Sequence, residues 1–244
     1  MKFEYIQHEK ITLTGNSVDY RIELDKRFKY CAGVVIFGQS ADFDAIIGVK
    51  DSKEWLLNKI PFAFISDDFS LQKKSNYIIK QNFDANGNII NVYFSCTDYT
   101  VTEKIEISFF LTNEKPVDNE FDYIYYYEKI TNWNQSADYI FPLSLDSIYK
   151  NLKGISAIID SGSGFIWNEV LFSLRDNVST YLHRVAGEYL ENFSLPVNDN
   201  FLPINIINSK NLESVLRVKG TPAIVSGDIC LIFQVENRKK VQSC

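Results

Sequence analysis

Histidine is almost missing from this chain: His8 and His183 are the only two among 244 residues. That scarcity excludes a metal centre built on a cluster of imidazoles. Cysteine is sparse as well, and Cys31, Cys96, Cys230 and Cys244 lack the paired spacing of a zinc site or a redox motif. No phosphate-cradling glycine loop, nucleophile elbow or Cys-x-x-Cys pair occurs. Basic residues are in deficit, with 25 Lys and Arg against 31 Asp and Glu, a net charge of -6. A dedicated nucleic-acid binder needs a basic face to displace counterions, so the balance argues against that class and no specific nucleic-acid partner is expected. No apolar run approaches the roughly 18 residues of a membrane-spanning helix. The opening Met1-Lys2-Phe3-Glu4-Tyr5 reads as neither a basic arm nor a signal peptide. Free thiols are therefore expected, and the sequons at Asn134, Asn177 and Asn192 read as incidental.

What the chain does have is β-forming residues: 18 Phe and 14 Tyr, with Ile and Val in plenty. Tyr20, Ile22 and Leu24 alternate with Arg21, Glu23 and Asp25, the mark of a strand with one wet face. Ala32 to Phe37 is a continuous apolar run, suited to a strand buried on both faces. Asp84-Ala85-Asn86-Gly87-Asn88 between apolar runs predicts a hairpin turn. Asp51-Ser52-Lys53-Glu54, followed by Trp55, Leu56 and Ile60, predicts one short helix opened by a capping box. Asp176, followed by Val178, Tyr181, Leu182 and Val185, predicts its counterpart.

That second helix belongs to a repeat running the length of the chain. Glu9-Lys10-Ile11-Thr12 returns as Glu128-Lys129-Ile130-Thr131, and seven of the twelve positions from Glu9 to Tyr20 are identical 119 residues later. Gly33 matches Gly154, Val49-Lys50-Asp51 matches Leu174-Arg175-Asp176, and Leu57-Asn58-Lys59-Ile60 matches Leu182-His183-Arg184-Val185. From Phe69-Ser70-Leu71 onward the offset settles at 124, through Phe109/Phe233 to Asn113/Asn237. A period this long marks a duplicated domain. The expected fold is all-β: two tandem jelly-roll domains, each a β-sandwich or barrel with one short helix, over residues 1–115 and 116–244. Asn113 to Glu120, with Pro116, reads as the linker.

Few residues offer chemistry. Asp160-Ser161-Gly162, after the apolar Ile158-Ile159, resembles the active-site turn of aspartic proteases, which would make Asp160 catalytic. That mechanism needs two aspartates sharing a proton, and the first copy has Phe37-Gly38-Gln39-Ser40 at the matching place. The pairs Asp67-Asp68 and Asp42-Asp44 read as solvated turns, and His183 as a surface residue. Tyr123, Tyr125, Tyr126 and Tyr127 read as a packed strand, with a sugar-binding platform as the sharper alternative. No catalytic residue, metal ligand or cofactor site is assigned.

The repeat and the length together resemble the double jelly-roll major capsid proteins of small tailless, internal-membrane icosahedral bacteriophages. The resemblance implies a structural virion protein and not an enzyme. It implies homotrimers, each a pseudo-hexagonal brick of six similar units, meeting neighbouring trimers and vertex or penton proteins to form an icosahedral capsid assembled in the host cytoplasm. It also implies an internal lipid membrane as a partner. Arg238-Lys239-Lys240 is the candidate membrane-facing contact, since each basic residue near anionic headgroups contributes on the order of 1 kcal/mol. The alternatives are a binding or vertex/spike protein of a phage particle, and an aspartic-protease-like hydrolase using Asp160.

Overall fold

Strand-forming residues give strands throughout the computed structural model, which describes residues 3–39, 45–53, 55–61, 82–97, 104–116, 121–143, 145, 151–159, 169–190, 201–207, 211–219, 221 and 223–236. The chain divides into two compact units with a break between Glu120 and Phe121. The first carries β1 (Tyr5–Thr12), β2 (Ser17–Glu23), β3 (Tyr30–Gln39), β4 (Ile46–Lys50), β5 (Trp55–Pro61), β6 (Phe83–Asp84), β7 (Ile89–Ser95) and β8 (Lys104–Thr112). The second carries β9 (Phe121–Asn134), β10 (Tyr139–Pro142), β11 (Asn151–Ile159), β12 (Val170–Arg175), β13 (Thr180–Ala186), β14 (Leu202–Ile207), β15 (Glu213–Val218) and β16 (Ile224–Glu236).

Each unit holds two antiparallel four-stranded sheets. In the first they run β1-β8-β3-β6 and β2-β7-β4-β5. In the second they run β9-β16-β11-β14 and β10-β15-β12-β13, the same order position for position. Both are jelly-roll-like sandwiches, in which neighbouring strands are mostly far apart in sequence.

Registers agree as well as order. Tyr20 faces Val92 in the first unit, and their repeat partners Tyr139 and Leu216 face each other in the second. Val34 faces Phe109, as Ile155 faces Phe233. The irregularities coincide too. A bulge separates Cys31 from Gly33, and another separates Leu152 from Gly154. The β4–β5 ladder slips on both sides of Val49, and the β12–β13 ladder slips on both sides of Leu174. Lys59 at φ 33° and Arg184 at φ 53° take up the left-handed backbone that these paired slips require.

The alternation read from the sequence puts side chains where it predicts. Ile105, Ile107, Phe109 and Leu111 are buried in a row on β8, and Ile90, Val92 and Phe94 in a row on β7. Cys31 to Ile36 is buried throughout, on a strand flanked by β8 and β6. In the second unit one core joins both sheets, with Phe141, Phe172 and Leu216 from one and Leu152, Ile155 and Phe233 from the other.

The two predicted helices are hairpins instead; the only helical segment of any length among the described residues is a 3-10 turn at Gly187–Tyr189. Asp51 does accept a backbone N–H, from Lys53 at 2.7 Å. Asp176 accepts two, from Val178 at 2.8 Å and Ser179 at 2.7 Å. These contacts close the β4–β5 and β12–β13 turns, because an aspartate that caps a helix also makes an Asx turn. The helical spacing has its own cause. The bulge at Lys59 inserts a residue between Leu57 and Ile60, so both point inward three positions apart. The Asp84–Asn88 turn is present, with Gly87 at φ 70° and the Asn88 N–H donating to the Ala85 carbonyl. It does not make a hairpin: β6 pairs with β3, and β7 with β2 and β4, so the chain turns a corner between sheets.

One core position is a mismatch. Ser214 is fully buried and its hydroxyl has no hydrogen-bond partner among the described residues, where the first unit has Ile90. An unsatisfied buried hydroxyl costs about 1–3 kcal/mol. Ser214→Ala should therefore raise the urea midpoint, by about 1 kcal/mol of stability; a fall would show that the hydroxyl is bonded.

Candidate functional site

The β4–β5 bulge and its twin at β12–β13 set the same five positions side by side on an outer sheet face, and the two units fill them differently. In the first unit the face is closed by aromatic rings. Trp55 lies 5.2 Å from Tyr93 between ring centroids. Lys50 reaches over Trp55 at 5.6 Å, and Lys59 over Trp55 at 5.7 Å and Tyr93 at 5.8 Å. Such cation–ring contacts contribute roughly 0.5–1 kcal/mol each at exposed sites. Gly48 makes room: a Cβ there would come within 2.9 Å of the Trp55 ring and 3.2 Å of the Lys59 backbone nitrogen.

In the second unit the corresponding residues are Ser173 for Gly48, Arg175 for Lys50, Thr180 for Trp55, Arg184 for Lys59 and Arg217 for Tyr93. Both rings are gone, and a cleft of about 170 Å³ opens in their place. The Ser173 hydroxyl accepts the Arg184 backbone N–H at 2.9 Å, tying down the bulge. Arg217 forks onto Asp138, with Nε to Oδ1 at 2.6 Å and Nη2 to Oδ2 at 2.7 Å. Arg175 Nε donates to Glu213 at 2.6 Å. The fork from Arg217 holds the Asp138 carboxyl below its usual range, and Arg184 and Arg175 add to the effect through space. Three guanidiniums thus surround one carboxylate, with His183 exposed beside Arg184.

The residues singled out in the sequence fare differently. Arg238, Lys239 and Lys240 lie outside the described residues, as do Asp160, Asp67-Asp68 and Asp42-Asp44. His183 is on the exposed face of a strand, not on a helix. The β9 tyrosines are packed. Tyr125 is buried, Tyr126 donates to the Pro142 carbonyl at 2.8 Å, and Tyr127 donates to Asp228 at 2.6 Å. Cys31 and Cys230 are free and buried; burial pushes the Cys31 thiol up to about 12 and the Cys230 thiol upward too, so both stay protonated. The arginine cleft is absent from the sequence reading. Its signal was the loss of Trp55 and Tyr93 across a repeat that keeps both cations.

Several carboxylates share the situation of Asp138. Arg27 holds Asp25 at about 2, and hydrogen bonds from Asn151 and Lys153 hold Glu236 low. Each folded value lies below the unfolded one, so the stability these groups contribute is present above about pH 4 and lost as the pH falls toward 2. Urea midpoints should decline steadily from pH 5 to pH 2.5; a flat profile would contradict this assignment.

No protein-family model matches the chain, and no curated protein matches it in sequence. Among solved structures it is similar to the major capsid protein P2 from bacteriophage PM2, with a TM-score of 0.46 and 8% identity, over 96% of this chain and 99% of that one. It is also similar to PNGase F, a glycosylasparaginase from Flavobacterium meningosepticum, with a TM-score of 0.35 and 10% identity, over 96% and 97%. At these scores the strand orders and registers, not the likenesses, carry the fold.

Proposed function

We propose that the chain is a structural virion protein: the major capsid protein of an icosahedral phage with an internal membrane, assembling as a homotrimer without catalysing a reaction. The observation that supports it is the strand order repeated in both units, together with the shared bulges at Gly33/Gly154 and Lys59/Arg184. In this reading the units are two jelly rolls produced by gene duplication. Three chains then supply six similar units around a three-fold axis, a nearly hexagonal tile.

The placement of exposed apolar side chains supports lateral assembly. Tyr5 and Ile6 on β1, Ile140 on β10 and Ile207 on β14 are all exposed, and each of these strands is at the edge of its sheet. Open edges with apolar side chains invite pairing, and a closed ring of subunits covers them. Arg238, Lys239 and Lys240 are the residues proposed to meet the membrane, and vertex or penton proteins the further partners in the shell. Light scattering on the purified protein tests the oligomer: three copies are expected, and a lone 28.1 kDa chain at every concentration would overturn it. The second reading, a binding or vertex protein of the same particle, draws on the open arginine cleft and predicts monomers or five-fold rings.

A further inference from the structure

We propose that the cleft between β10, β15, β12 and β13 of the second unit binds a small oxyanion, a phosphate or a carboxylate, through Arg184 with Arg175 and Arg217 in support. The comparison of the two units carries this. Both place a cation at the same two bulge positions, Lys50 and Lys59 in one and Arg175 and Arg184 in the other. In the first unit those cations rest on the chain's own rings, Trp55 and Tyr93. In the second the rings are replaced by Thr180 and Arg217, so the space is open and one more positive charge faces it.

Charge and geometry point the same way. Asp138 and Glu213 answer Arg217 and Arg175, while Arg184 forms no ion pair among the described residues. The cleft therefore keeps a positive charge on a chain whose net charge is -6. The change from lysine to arginine at both bulge positions matters chemically. A guanidinium offers a planar fork of donors matched to two oxygens of a carboxylate or phosphate, where an ammonium offers a point charge. Arg184 is also held in place: its φ of 53° is set by the bulge, and Ser173 takes its backbone N–H. Asp138 already shows how an oxyanion sits here, gripped by Nε and Nη2 of Arg217.

This inference goes beyond the shell reading and does not depend on it, because binding is measured on the dissolved protein whether or not it assembles. NMR titration of the full chain with sodium phosphate, and separately with sodium succinate, at constant ionic strength in chloride, is the test. Saturable shifts of the arginine Nε–H signals are expected with at least one anion. Saturation by phosphate alone, or by succinate alone, identifies which oxyanion the cleft takes. Arg184→Gln should weaken binding by about tenfold, the loss of one charge-assisted contact. A second variant, Ser173→Gly with Thr180→Trp, restores the Trp55 ring of the first unit to the cleft and should abolish binding with the circular dichroism unchanged. Lys59→Gln in the first unit should leave binding as it was. Shifts that never saturate with either anion, or equal affinity in Arg184→Gln, would overturn the proposal.

Discussion

Phe233→Ala should cost the second unit about 3–5 kcal/mol of stability and leave the unfolding of the first unit where it was. Phe233 is completely buried in a core that draws on both sheets of its own unit. Removing the ring forfeits its transfer free energy and leaves a void that surrounding strands fill only in part. Phe109→Ala, at the matching register position, should do the same to the first unit alone. The reciprocity is the point, since distant sites that share no packing partners have effects that stay separate. Hydrogen exchange followed residue by residue during urea unfolding reads the two units apart. Equal loss of protection in both units from either substitution would mean one cooperative core, against the two-unit account.

Gly154→Val is the second large effect, about 1–3 kcal/mol. Gly154 lies at the bulge where β11 slips against both of its neighbours, β14 and β16. A Cβ there would collide with the side-chain oxygen of Gln234 and come within 3.0 Å of the Phe201 Cβ. The Gln234 side chain can swing away, but the Phe201 Cβ moves only with its backbone, so the added bulk is taken up as strain in the ladder. Urea unfolding of the variant measures this. A change below a few tenths of a kcal/mol would show that the bulge has slack and that glycine is not required at this point.

The strand order common to the two units was legible because it goes with identities and spacings in the sequence: Glu9 to Tyr20 against Glu128 to Tyr139, and Gly33 against Gly154. Strand faces were legible for the same kind of reason, since Ile105, Ile107 and Phe109 alternate and alternation maps directly onto a pleated sheet. The helices were misread because two local signals have two solutions each. Asp51 and Asp176 close turns with the same acceptor chemistry that caps a helix, and a bulge turns a period of two into a spacing of three at Leu57/Ile60 and Leu182/Val185. The cleft was hard to find for a different reason. Asp138, Arg175, Arg184 and Arg217 are scattered over some eighty positions, and only the sheet order, β15 beside β10 and β12 and β12 beside β13, draws them to one face. Edge exposure at Ile140 and Ile207 likewise follows from sheet order, which alternation does not encode.

Electron microscopy of the protein under assembly conditions tests the central claim most directly, because the outline of the particle reports how like units are grouped. The account predicts three-fold particles with a six-cornered outline that tile into flat facets. Rings with five-fold symmetry, or particles no larger than a single chain, would contradict it.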